Sequence, residues 1–374
     1  MTAERMSNRS LGRATLARQS LLTRSEVPVM DMIEHLCGLQ AQAPDPPYYA
    51  LWARMKHFDP SVLAGLLEDR SAVRIVAMRG TVFLLSARDA LKFRPLTQRI
   101  LDNDLHTNTQ HRVHLKGVDV GALGEAGRAV VADGPLTQLE MRPLLEARFP
   151  GRDGAALAHG VRGLVPMVQV PPRGVWGKSG PPALTPLDDW VGEPLDPAPD
   201  IDGVVLRYLA AFGPVSTKDV QAWSGLTGLG EVMERLRPRL RVFTGEQGAE
   251  LFDLPDAPRP DADASTPVRI LAPFDNMLLS HADRSRIMDA DVKARIFTVN
   301  GIVKSAVVVG GRVVASANVS RRGTAAILEV EPLRKIAKTN RTSVAAEGRR
   351  LLKFAHPDAE TREVRFTDEH GGLM

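Results

Sequence analysis

Apolar residues recur at positions 29, 30, 32, 33, 36, 37 and 39, the spacing of one helical face, so a helix is expected over 29–39. Pro44, Pro46 and Pro47 forbid its continuation. Ser61 is expected to cap a helix running to Leu67, and Ser86 to open another. Between them, AVRIVAMRGTVFLLS (72–86) reads as two short strands around Arg79-Gly80. Two later segments share a layout: GPLTQLEMRPLL from Gly134 and GPVSTKDVQAWSGL from Gly213. Each has Gly-Pro, an apolar residue, a Ser or Thr, and an acidic residue three positions on. Thr137 with Glu140, and Ser216 with Asp219, are therefore expected capping boxes. After the second come a turn, an amphipathic helix over 231–236 and a strand, RLRVFTG. Helix, turn, helix, strand is the order of a winged helix, and the same pattern also fits a plain αα-hairpin. From Ile296 to Pro332 β-branched residues alternate between turn signals at Asn300-Gly301, Gly310-Gly311 and Arg322-Gly323, which predicts a meander of hairpins. A closing helix is expected over 342–354.

Proline sets the divisions. Residues 171–200 hold eight prolines and residues 255–267 hold four, so both read as linkers or long ordered loops. The expected map is 1–170, a linker at 171–200, a further unit at 201–254, a Pro/Asp-rich loop at 255–267, and a β-rich part at 268–374.

Composition narrows the class. At 374 residues and 44% hydrophobic the chain has material for two or three packed units. The single cysteine, Cys37, excludes an internal disulfide and a cysteine-rich zinc module. With no apolar run of about 18 residues and a polar N-terminus, neither a membrane span nor a secretory signal is expected, and the expected location is cytoplasmic. The net charge of +4 hides a pattern. Residues 1–185 carry 23 basic and 17 acidic side chains, residues 186–266 carry 7 and 15, and residues 267–374 carry 18 and 12. Two basic blocks around an acidic one fit a polyanion partner touched by both ends, or charges scattered over a solvated surface.

Few residues suggest chemistry. In Gln40-Ala41-Gln42, a locally extended chain would point both glutamines to one side. Each amide offers one acceptor and two donor hydrogens, so the pair could hold and orient a water, or simply end a helix in solvent. His106, His111 and His114 lie close together, but no carboxylate or cysteine completes a metal set, and no metal is expected. Arg321 and Arg322 fall at a predicted hairpin tip, with Lys304 and Arg312 nearby. Such a basic hairpin suits a DNA groove, or protects a sheet edge. Gly-Lys-Ser at 177–179 lacks the upstream glycine of a P-loop, there is no Gly-x-Ser-x-Gly elbow, and the glycines at 225–230 do not follow a strand. Nucleotide hydrolysis, esterase chemistry and hydride transfer drop out.

Four segments, in order, carry a resemblance: LGRATLARQSLLTR, CGLQAQAPDPPYYALWARM, VRIVAMRGTVFL and LAPFDNMLLSHADR. From about residue 11 to about residue 335 the chain resembles the bacterial winged-helix DNA glycosylases of the AlkZ/YcaQ type. The resemblance implies an α+β fold of tandem winged-helix units followed by a C-terminal β-rich, hairpin or barrel-like part. It implies excision of alkylated bases from double-stranded DNA by a cofactor-free monomer, associated with the nucleoid. Gln40 and Gln42 match the Gln-hydrophobic-Gln catalytic motif of the AlkZ branch, whereas the YcaQ branch has Asp at the second polar position. The family's groove-probing hairpin maps to the 300–325 meander, with Lys304, Arg312, Arg321 and Arg322 as DNA contacts. Relatives of AlkZ type accept bulky adducts and interstrand cross-links, which implies self-resistance to a DNA-alkylating natural product. Many relatives carry a histidine where this chain has Phe83, so no catalytic histidine is expected there. Asp45 and Asp275 are further carboxylates near these motifs. The competing readings are a winged-helix transcriptional regulator and a protein that sequesters the toxin itself.

Overall fold

A computed structural model describes residues 4–367. One order of elements appears in it three times: helix, short strand, helix, helix, strand, strand. The first unit runs through Val29–His35, Leu39–Gln40, Pro46–Arg54, Pro60–Glu68, Ala72–Val76 and Val82–Ser86. The second runs through Val120–Val130, Leu136–Thr137, Gln138–Arg148, Gly154–Leu164, Met167–Gln169 and Ala183–Pro186. The third comprises Ile201–Phe212, a bridge from Val215 to Phe252, Thr217–Ser224, Leu229–Leu236, Arg241–Gly245 and Glu250–Asp253. Strands of the first two units join in one six-stranded sheet whose paired neighbours are all antiparallel. The third unit's hairpin is extended by Glu4–Met6, which pairs with it in parallel.

Local chemistry accounts for the element ends. Both capping boxes form: Glu140 accepts from the Thr137 N–H at 2.7 Å, and Asp219 from the Ser216 N–H at 2.8 Å. The helix expected over 29–39 stops at His35, because Cys37 and Gly38 have left-handed φ of +53° and +86°. A Cβ on Gly38 would lie 2.4 Å from the Leu85 side chain, so only glycine lets this turn nest against its neighbour strand. Leu39 and Gln40 then become a strand. Asp59, not Ser61, caps the fourth helix, because Pro60 supplies a first helical residue that needs no donor. The closing helix spans Lys338–Ala355, longer than expected.

The proline-rich stretch 171–200 holds more structure than a linker. It forms the tip of the second unit's hairpin, then the strand Ala183–Pro186 and the helix Leu187–Val191. Proline is tolerated there because a tip has no ladder hydrogen bonds to donate. Residues 255–267 run along the helix Asn8–Arg18, where Arg9 and Arg13 donate to the carbonyls of Ala262 and Ala264 at 2.8 Å.

The expectation of a barrel-like C-terminal part is corrected. Arg269–Leu271, Ser305–Val309, Arg312–Arg322, Ala325–Pro332 and Thr361–Phe366 form an open five-stranded sheet, and the two edges do not meet. The last strand arrives by way of the helix Lys338–Ala355 and pairs in parallel. That helix packs Val344, Leu351 and Leu352 into the same core as the sheet residues Ala306 and Leu328, covering the face a barrel would enclose.

The units do not pack as separate bodies. Val73, Ile75, Phe83 and Phe93 of the N-terminal part share a core with Tyr208, Phe212, Trp223 and Phe252 of the acidic middle part. Leu16 and Trp52 belong to the core of the C-terminal sheet. Buried ion pairs tie the same joints: Arg18 with Asp253 at 2.7 Å, and Arg54 with Asp275 at 2.7 Å. No described helix is long and apolar enough to cross a membrane.

Candidate active site

Leu39 and Gln40 pair antiparallel with Leu84 and Phe83, and the Ala41 N–H continues the ladder by donating to the Val82 carbonyl at 2.7 Å. The strand covers Leu39 and Gln40 and its ladder continues through the Ala41 N–H, while Gln42 lies in the bend that follows. Gln40 lies opposite Phe83 and is 8% exposed, while Gln42 is exposed.

Two arginines grip this segment. Arg79 Nη2 donates to Gln40 Oε1 at 2.6 Å. Arg74 Nη2 donates to the Ala41 carbonyl at 2.9 Å and Nη1 to that of Ala43 at 3.5 Å. Burial lowers the pKa of both guanidiniums to about 10, so both stay charged near neutrality. A guanidinium only donates, so the Gln40 oxygen must face Arg79 and its NH2 must face away. Gln42 Oε1 accepts from the Val82 N–H at a longer 3.2 Å.

Behind the strand, Asn276 donates to the carbonyls of Gly38 at 2.9 Å and Leu36 at 3.4 Å. Asp275 accepts from both Nη atoms of Arg54 and from the Met277 N–H. The Asp275-Asn276 pair therefore braces the turn that delivers Gln40, and the Asp275 carboxylate is buried with both oxygens engaged. Asp45 differs. Desolvation raises its pKa, opposed by Arg74, and it accepts no side-chain bond at the helix it precedes.

Ala43 and Asp45 form one wall of a 290 Å³ cavity, with Ser305 and Asn318 of the C-terminal sheet opposite. A second cavity of 460 Å³ shares Ser305 and Asn318 and continues to Lys304 and Ile302. The two form a groove from Ala43 and Asp45 to the turn between Phe297 and Val303, whose Val299 is fully exposed and Ile302 half-exposed; Gln40 and Gln42 line neither cavity.

Of the four expected DNA contacts, only Lys304 lines this groove. All four carry carboxylate partners. Lys304 is 3.4 Å from Glu331, Arg322 is 3.4 Å from Glu329, Arg312 meets Asp289, and Arg321 makes a bidentate pair with Asp358 at 2.8 and 2.7 Å. The histidines lie elsewhere: His106 and His114 are exposed, and His111 stacks on His159 with centroids 4.5 Å apart.

Sequence reasoning missed Arg74 and Arg79. Their strand-and-turn position was legible, but which glutamine or carbonyl they reach depends on strand pairing 30 to 40 residues apart in sequence.

The solved structure of the Streptomyces sahachiroi DNA glycosylase AlkZ superimposes with a TM-score of 0.76 at 20% identity, over 98% of this chain and 100% of that one. An interstrand DNA cross-link repair glycosylase of Streptomyces sahachiroi is 24% identical over 322 residues, 80% of this chain and 84% of that protein. The model of the AlkZ-like DNA glycosylase family matches residues 33–354, from the helix before the glutamine strand to the closing helix, and the chain belongs to that family.

Proposed function

We propose that the protein is a monofunctional DNA glycosylase that hydrolyses the N-glycosidic bond of alkylated purines, with Gln40 and Gln42 at the reaction centre. The observation that carries this reading is the glutamine motif fixed by hydrogen bonds from Arg79 and the Val82 N–H in a chain of the AlkZ-like family. Alkylation at N7 of guanine or N3 of adenine makes the base cationic and a good leaving group, so little acid catalysis is needed. Water attacks C1′, the glycosidic bond breaks, and its electron pair neutralises the departing base. The water's proton passes to solvent, leaving an abasic site. What remains is to place the water and accommodate an oxocarbenium-like sugar, work suited to neutral amides. The groups bonded to the two glutamines are a guanidinium and a main-chain N–H, neither of which forms a Schiff base, and this supports hydrolysis over lyase chemistry.

The triple repeat of helix, short strand, two helices and a hairpin supports tandem winged-helix units. The groove supports duplex binding by a monomer, with the Phe297–Val303 turn as the groove probe and Lys304 beside it. A fully exposed valine at a turn is the type of side chain that wedges between base steps. The relative named for cross-link repair supports bulky adducts and interstrand cross-links as substrates, in a cell protecting its DNA from an alkylating natural product.

The test is a duplex carrying one N7-alkylguanine, scored for free base and alkali-labile sites, beside a cross-linked duplex scored for unhooking. Release is expected, with Gln40→Ala and Gln42→Ala each slower by roughly 10²-fold. Intact alkylated DNA bound in a sequence-dependent way would instead indicate the regulator.

A further inference from the structure

The contact between Arg79 and Gln40 does more than fill space. Arg79 sits at the tip of the first unit's hairpin with φ +56°, a left-handed conformation uncommon for a residue with a side chain. Its guanidinium reaches two acceptors, Gln40 Oε1 and, through Nη1, the carbonyl of Trp223 in the third unit. The Phe83 ring lies 5.2 Å below it. The third unit can come this close because Gly225 lacks a side chain: a Cβ there would stand 2.9 Å from the Arg79 Cα. Arg18 and Arg54, which are buried, each meet a carboxylate. Arg79, half-buried at the hairpin tip, meets none among the described residues, so its charge is partly desolvated without the partner that would best compensate it. Such a costly arrangement at a strained position is a mark of function.

We propose that Arg79 is a positioning residue for the excision reaction: it pins the Gln40 amide with its oxygen inward, so that Gln40 meets the reacting water as a donor and Gln42 serves as the acceptor. This rests on the functional reading above and divides the labour within it. A charge-assisted bond to the oxygen polarises the amide and strengthens its N–H donors. Water held by two donors would have its lone pairs occupied; it attacks only if one partner takes its hydrogen. Gln40 cannot turn without losing a 2.6 Å bond to a cation, whereas exposed Gln42 gives up only a 3.2 Å bond to a main-chain N–H.

The experiment is single-turnover excision from the N7-alkylguanine duplex at saturating enzyme, with duplex affinity measured alongside. The variants are Arg79→Gln, Gln40→Ala, Gln40→Glu and the double variant Arg79→Gln with Gln40→Ala. Gln40→Glu keeps the Arg79 contact and loses the donor. Arg79→Gln should slow excision roughly 10²-fold with affinity unchanged within about twofold. The double variant should be no slower than Gln40→Ala by more than about threefold, since both remove one device. Gln40→Glu should be as slow as Gln40→Ala. Wild-type rates in Arg79→Gln, or losses that multiply, would overturn the proposal. If Arg79→Gln does not fold, Gln40→Glu decides: excision at or above the wild-type rate makes Gln40 an acceptor and overturns it. Wild-type excision by Gln40→Ala would instead sink the assignment of the site, a distinct result.

Discussion

Asp275 accepts from both terminal nitrogens of Arg54 at 2.8 and 2.7 Å, and neither side chain is exposed. The pair joins the third helix of the chain to the start of the C-terminal part, beside the turn that delivers Gln40. Asp275→Asn would leave the guanidinium buried without its counter-charge. It should cost about 3–5 kcal/mol of unfolding free energy, read from urea midpoints. A variant as stable as the wild type would contradict a structural role for Asp275.

Asn276→Ala tests the neighbouring brace. It deprives the Leu36 and Gly38 carbonyls of their side-chain donor. A loss of about 1–3 kcal/mol is expected. Slower excision should accompany it, since the turn sets the height of the glutamine strand. Unchanged rate and stability together would separate that turn from the reaction centre.

Gly225→Ala places a methyl against the Arg79 backbone and strains a φ of +80°. Excision should fall while duplex affinity holds, because the third unit is pushed off the turn that carries Arg79. A variant with intact excision would show that this close approach has slack.

His281 gives a pH dependence. It is fully buried, and desolvation with the nearby Arg286 charge holds its pKa well below the ordinary value of 6.5. The folded protein keeps it neutral, so the unfolded state binds the extra proton. Its contribution is complete above about pH 6.5 and shrinks as pH falls below that, by about 1.4 kcal/mol per unit. Urea midpoints at pH 7.5 and 5.5 should differ more for the wild type than for His281→Asn. Equal differences would remove His281 as the cause.

Salt response tests the basic hairpins. Arg312, Arg321 and Arg322 already hold carboxylates, so each alanine variant should change the slope of log affinity against log salt by less than about one counterion. A change near one for any of them would show that it trades its carboxylate for a phosphate.

How much of this was legible in the sequence follows from range. Capping boxes at Thr137 and Ser216 and the strands around Arg79 are local, and the residues within a few positions determine them. The glutamine pair was visible as a motif, and the strand at Gln40 needed only Gly38 to end the preceding helix. The long hairpin tip at 170–182 fits a linker and a long ordered loop equally well in sequence, because proline gives the same signal in both settings. What makes that tip structural is remote: Tyr48 donates to the Gly174 carbonyl at 2.8 Å and accepts from the Trp176 N–H at 3.0 Å. The basic hairpin residues looked free for the same reason, since Asp289 and Asp358 reach them only through the fold.

Each of the three hairpin tips meets another part of the chain. The first carries Arg79 to Gln40. The second lays Gly174 over the Arg74 side chain, where a Cβ would stand 2.5 Å from Cδ. The third anchors the N-terminus, with Glu246 accepting from Asn8 and Arg5. Loops of this kind are where a chain ordinarily tolerates insertions, tags and drift. Here two of the three press on the guanidiniums that hold the glutamine strand. A peptide inserted into either of those two tips would act from a distance on the glutamine strand, and the tolerant places on this molecule must be sought away from them.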